Sequence, residues 1–148
     1  MVNDTMRKFG FPETLICDHR HWMVLLRPAQ VTLGSLVLCA KSEVESFGAL
    51  EPDAFAELAE VIPAIEQALK QFCDYDRINY LMLMMVDRQV HFHIIPRYAD
   101  PRSFGGAIFA DSGWPGPPDL KAAIALDGKA IIAVRDALDG HFACENLK

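Results

Sequence analysis

The chain has 148 residues, 51% hydrophobic and 23% charged, with four cysteines and a formal net charge of -6. That length fits one domain, residues 1–148, able to bury roughly 70% of its unfolded surface, and the composition excludes disordered, collagen-like and disulfide-scaffold classes. The negative charge opposes a phosphate backbone or an anionic membrane at long range, so DNA, RNA and membranes are not expected partners, while a small phosphorylated ligand held by local geometry stays compatible.

The first eight residues carry an early acid, Asp4, and no apolar run behind Arg7-Lys8. They lack the layout of a secretory signal, and cytoplasmic localisation is the expectation. Residues 14–17 read as a strand, Asp18 to His21 as a polar turn, and residues 22–26 as the returning strand of a hairpin. Pro28 to Gly34 breaks the pattern before a third strand at 35–40. Behind Pro52, apolar residues recur at Phe55, Leu58, Ala59, Ile62, Ile65, Leu69 and Phe72, the spacing of an amphipathic helix running to about Cys73 and kinked at Pro63. Residues 78–86 read as a strand apolar on both faces, needing cover on each side, and are far shorter than the ~20 residues that span a bilayer. The Met82, Met84 and Met85 cluster reads as core or dimer contact. After the turn Asp87-Arg88, residues 89–95 form a strand that stops at Pro96, the Gly- and Pro-rich stretch 98–118 is a loop, and residues 128–138 form a closing helix. Strands on both sides of one long helix predict an α+β protein with an antiparallel sheet. Cys17, Cys39, Cys73 and Cys144 have no Cys-x-x-Cys spacing and are expected as free, small buried hydrophobes rather than disulfide partners.

Chemistry concentrates in Gln89-Val90-His91-Phe92-His93. Alternate strand residues share a face, so Gln89, His91 and His93 point one way and Val90, Phe92 and Ile94 point into a core. The two histidine backbones lie ~6.6 Å apart, close enough for both imidazoles to address one atom or one phosphate. Three readings stay open: structural packing, a metal site and nucleophilic catalysis. A metal site needs three or four ligands, and no third ligand stands near in sequence. Cys17, His19 and His21 form a second cluster with ligand-type spacing, which a turn of exposed side chains explains equally.

Residues Gln89 to Arg97 resemble the signature of the histidine-triad (HIT) family of nucleotidyl hydrolases and transferases, alternating histidines followed by a Pro-Arg pair. From Trp22 to Arg97 the order of elements is similar to that family throughout, which covers about half of the chain. The resemblance implies a HIT-like fold with about five antiparallel strands, one long helix and a C-terminal helix, a homodimer, and a nucleotide substrate. It places the nucleophile on His91 and the third histidine, which helps bind and protonate around the phosphate, on His93. Imidazole is mostly neutral and nucleophilic at pH 7, which suits a covalent nucleotidyl-histidine intermediate.

Several positions depart from the pattern. Gln89 replaces the first histidine, as in related bacterial branches that resemble diadenosine polyphosphate hydrolases, and a carboxamide orients but does not titrate. Ser35 replaces another histidine, and Arg27 stands where an acceptor normally takes the ribose hydroxyls. The phosphate-contacting loop is reduced to Asp87-Arg88, so Arg88 or Arg97 becomes the candidate source of phosphate charge, against the alternative of a solvated surface arginine. Trp114 resembles a Trp-Pro tail that lies by the partner's active site in some members, or it anchors a Pro-rich loop. The expected activity is hydrolysis or transfer at a nucleotide phosphate, such as a dinucleoside polyphosphate or nucleoside phosphoramidate, with no metal or cofactor required. The alternatives are a nucleotide-binding dimer with little turnover and a metal-dependent enzyme using His91 and His93.

Overall fold

The computed structural model describes residues 1–144, so the last four residues of the expected domain lie outside the described part. The elements run α1 (Asp4–Lys8), β1 (Leu15–Asp18), β2 (Trp22–Leu26), β3 (Ala29–Gln30), β4 (Leu36–Ala40), α2 (Pro52–Cys73), β5 (Arg77–Leu81), β6 (His91–Arg97), β7 (Arg102–Phe104), β8 (Ala107–Phe109), β9 (Ile124–Ala125) and α3 (Gly128–Asp139). Five strands form one antiparallel sheet in the order β1-β2-β4-β6-β5. The α+β architecture expected from the pattern of strands and helices is therefore the one observed, and β3–β9 and β7–β8 add two small two-stranded pairs.

The β2–β4 pairing explains the complete burial of both strands, Trp22–Leu26 and Leu36–Ala40. Trp22, Val24, Leu26, Leu36 and Leu38 point to one face and pack against Val61, Ile65 and Leu69 of α2 and Val134 and Leu138 of α3. Met23, Leu25, Val37 and Cys39 point to the other face, where Met6 of α1 covers them. Proline at the first helical position starts α2, since its missing N–H would have no partner there. The helix continues through Pro63 to Cys73 and ends at Asp74, whose φ of 46° turns the chain back.

Three boundaries differ from the sequence reading. The strand expected over 78–86 stops at Leu81 and lies at the edge of the sheet, only half-buried, so it is not a strand covered on both faces. The following residues leave the sheet: Met84 takes φ 42°, and Met85 and Val86 are about four-fifths exposed. The motif strand begins at His91 rather than Gln89 and runs through Pro96 to Arg97. Pro96 lies beyond the β4 pairing, which ends at Ile94, so its missing N–H costs that ladder nothing, and its carbonyl accepts from Thr32 Oγ1 at 2.5 Å.

The cysteine expectation is corrected in part. Cys39 and Cys73 are free and buried, but Cys17 and Cys144 form a disulfide across a Cα–Cα distance of 5.8 Å. Packing of α3 against β1 and α2 delivers the chain end to Cys17, a proximity that spacing along the sequence does not reveal.

Candidate functional site

In the β4–β6 register His91 stands opposite Cys39 and His93 opposite Val37. Both histidines therefore lie on the α1 side of the sheet, as the alternation predicts, while Val90 and Ile94 enter the core beneath α2. Their ring centroids are 5.0 Å apart, and the residues are 1% and 6% exposed.

Hydrogen-bond partners fix the two tautomers. His91 Nδ1 lies 2.8 Å from the Gln89 backbone carbonyl. A carbonyl only accepts, so Nδ1 carries a proton, and in the neutral imidazole Nε2 is then the nitrogen with the lone pair. Arg27 Nε–H donates to His93 Nδ1 at 3.4 Å, so His93 carries its proton on Nε2. Burial, with His91 and the positive Arg27 adding to it, pushes the His93 imidazole down to about 4. His93 is thus a neutral hydrogen-bond donor at pH 7. Burial also lowers the Arg27 guanidinium, which stays a cation, and it is braced by a bond to the Ala29 carbonyl.

The two histidines and Arg27 line one cleft of about 380 Å³. The rest of the lining is mostly apolar, from Phe9, Leu83, Met84, Met85 and Val86, with Lys8 and Asp87 as its charged members. The Phe9 ring centroid lies 5.7 Å from that of His91 and 5.5 Å from that of His93. Asn3 holds this N-terminal segment in place. It caps α1 by accepting from Met6 N at 3.0 Å, and its Nδ2 donates to the carbonyls of Ala40 and Ser42 at 3.1 and 2.9 Å. Phe9, Lys8 and the Leu83–Met85 wall were missed in the sequence because only tertiary packing brings them to the histidines. Of the three methionines, Met84 and Met85 line the cleft, whereas Met82 packs against the core as expected.

The other candidates divide. Arg88 and Gln89 line an adjacent cavity with Thr5 and Lys8. The Gln89 carboxamide accepts from Thr5 Oγ1 at 2.6 Å and donates to Glu43 at 3.5 Å, so its contribution to the histidines is its backbone carbonyl. Ser35 is fully buried, its hydroxyl donating to the Thr32 carbonyl at 2.7 Å and accepting from Thr32 N at 3.1 Å, which makes it a turn residue. Arg97 is not a phosphate ligand in waiting. Its Nε meets Asp111 Oδ2 at 2.7 Å, Nη2 reaches Asp111 Oδ1 and the Gly116 carbonyl, and Nη1 reaches Asn79. Trp114 shares a separate cavity with Arg77, Asn79 and Arg97 beside the β5 edge.

No family model matches the sequence, and no curated protein matches it. Solved structures do. The chain is similar to a histidine triad (HIT) protein from Sinorhizobium meliloti 1021, with a TM-score of 0.74 and 18% identity over 96% of each chain. It is also similar to a histidine triad protein from Bradyrhizobium japonicum, at TM-score 0.70 and 20% identity over 96% of this chain and 97% of that one. A hypothetical histidine triad nucleotide-binding protein from Sulfolobus tokodaii strain7 gives TM-score 0.64 and 18% identity over 86% and 82% of the two chains. The fold is the HIT fold, and the structural neighbours are HIT-family proteins. Among the described residues no helix is long and apolar enough to cross a membrane.

Proposed function

We propose that the protein is a HIT-type nucleotide phosphohydrolase or nucleotidyl transferase that works through a covalent intermediate on His91, with a dinucleoside polyphosphate or related nucleotide conjugate as substrate. The observation that carries this reading is the His91 tautomer, whose Nδ1–H is anchored on the Gln89 carbonyl while Nε2 keeps its lone pair beside His93 and Arg27 in one cleft. Nε2 attacks the α-phosphorus, a P–N bond forms, and the P–O bond to the leaving group breaks. Water then attacks the same phosphorus and the P–N electron pair returns to Nε2. His93 donates its Nε2–H to a phosphoryl oxygen, and Arg27 supplies positive charge. The wall of Phe9, Leu83, Met84 and Met85 suits the flat faces of a nucleobase.

A second reading, a nucleotide-binding dimer with little turnover, is supported by the Gln89 carboxamide being tied to Thr5 and Glu43 and by the short loop before β6. A metal site at His91 and His93 has weaker support, since among the described residues no third His, Cys, Asp or Glu joins them at ligand distance. In both nucleotide readings the chain acts as a homodimer. The position of β5 as an edge strand of the sheet supports that assembly, and sedimentation equilibrium giving twice the 16.5 kDa chain mass tests it.

Intact mass after brief mixing with dinucleoside polyphosphates and adenylylated compounds, quenched at neutral to basic pH, decides between these readings. The expected result is a nucleotidyl increment on the wild type and none on His91→Gly. His91→Ala should fold normally and lose turnover by about 10³-fold or more. Nucleotide affinity with neither increment nor product selects the binding reading, and full activity in His91→Ala removes the mechanism.

A further inference from the structure

On the sheet face opposite the catalytic cleft, Cys17 of β1, His19 just beyond it and Cys144 of the C-terminal tail converge. Their ligand atoms all lie within 4.8 Å of one another, with Cys17 Sγ 3.2 Å from His19 Nε2. We propose that these three residues form a metal site for zinc in the reduced protein, and that the Cys17–Cys144 disulfide is the oxidised, metal-free form of the same site.

The donor set decides the class of ion. Two thiolates and an imidazole are soft and borderline ligands that favour zinc over magnesium or calcium, in tetrahedral geometry with Zn–S near 2.3 Å and Zn–N near 2.1 Å. Those bond lengths put the two sulfurs about 3.8 Å apart and each sulfur about 3.6 Å from the nitrogen. The Cys17–His19 spacing is close to that already, because residues two apart at the end of a strand share a face. Only the sulfur of Cys144 has to withdraw from bonding distance, and Cys144 lies in irregular chain beyond the end of α3 at Asp139, where a shift of this size disturbs no helix or strand. Water fills the fourth position. Glu57, Asp18 and Glu60 surround His19 with negative charge, opposed by Lys41, which itself pairs with Asp18 at 2.7 Å. Glu57 is fixed in that position by accepting from His21 N at 2.8 Å.

The remaining cysteines do not compete. Burial pushes the thiols of Cys39 and Cys73 up to about 12, so neither supplies a thiolate at neutral pH. The exchange between forms balances with a low-molecular-weight thiol as co-reactant. Two thiols reduce the Cys17–Cys144 bond, yielding two cysteine thiols and one small disulfide. The two cysteine thiols then release two protons as they bind one zinc ion. Either form ties the C-terminal tail to β1, so the linkage survives a change of redox compartment while the metal does not.

The test uses the full chain, reduced with a phosphine, freed of reductant without air, and titrated with Co²⁺ and then with Zn²⁺ against a chromophoric chelator. One equivalent of zinc per chain and a thiolate-to-cobalt charge-transfer band are expected. Both should vanish in Cys144→Ser and in the oxidised wild type, and His19→Ala should weaken zinc binding at least about tenfold. Cys144→Ser carries the comparison because it lies in the tail, whereas Cys17 is buried in the core and Cys17→Ser counts only if its circular dichroism matches the wild type. Reduced protein that takes up no zinc overturns the proposal and leaves the pair a disulfide staple. Binding that persists in Cys144→Ser, or that disappears in His91→Ala, also overturns it by assigning the ion to other residues.

Discussion

His93 shows how far a side chain's chemistry departs from what its identity suggests. The sequence makes it a histidine near pH 6.5 able to exchange protons with a phosphate. Its burial between His91 and Arg27 instead makes it a neutral donor, with a folded-state value of about 4. Between about pH 4 and 6.5 the unfolded chain therefore binds a proton that the folded chain does not, and stability falls as pH drops through that window. The size is on the order of 3 kcal/mol at most. Urea midpoints across the window should fall for the wild type and stay flatter for His93→Gln. Parallel slopes would show that His93 titrates freely. Arg97 and Asp111 make the opposite case, since their side chains are 5% and 1% exposed and paired at 2.7 Å. Asp111→Ala leaves a buried guanidinium without its partner and should cost about 3–5 kcal/mol in denaturant unfolding. A cost under about 1 kcal/mol would show that water or another acid replaces the carboxylate. The sequence shows that Arg97 is charged, but not that fourteen residues later an aspartate returns to neutralise it.

Elements with a single dominant period were legible: β1, β2, β4, α2 and α3 fall within a residue or two of the expected ranges. Two kinds of feature were not. Apolar residues with no periodic partner were read as strand, but Met84 and Met85 line the cleft because a loop that borders a cavity also uses apolar side chains. Short pairs such as β7–β8 gain their strand geometry from a local turn, with Gly105 and Gly106 both at positive φ, rather than from a hydrophobic pattern. The C-terminus of α2 gives an element-scale prediction. Asp74 holds φ 46°, a conformation that costs a residue with a Cβ about 1 kcal/mol and glycine nothing. Its ion pair with Lys70 is solvent-exposed and contributes little. Asp74→Gly should therefore raise stability by about 0.5 kcal/mol in urea unfolding. A loss instead would mean that the Lys70 pair outweighs the backbone strain.

At the scale of the whole molecule, the order of elements and the histidine strand were readable because each depends on local period, whereas the site is closed by contacts that are distant in sequence. Phe9 reaches His91 across eighty-two positions, and Cys144 reaches Cys17 across 127. The second of these contacts has a thermodynamic consequence. A cross-link between points that far apart removes conformations almost entirely from the unfolded chain, because a long loop loses more freedom on closure than a short one. The chain-entropy argument gives an upper value of about 5 kcal/mol for such a loop. In a chain of this size that lowers the melting temperature on reduction by about 10 °C or somewhat more. The melt belongs in chelator, so that no ion replaces the disulfide, and Cys144→Ser should melt with the reduced wild type whether or not reductant is present. Cys39 and Cys73 are buried and outside any disulfide, so reduction alters no other covalent link among the described residues. Coincident melts of oxidised and reduced protein would show that the tail is not tied to β1 in solution, and that non-covalent contacts, the packing of Val134 and Leu138 and the Arg135 bond to the Glu13 carbonyl among them, keep α3 on the sheet.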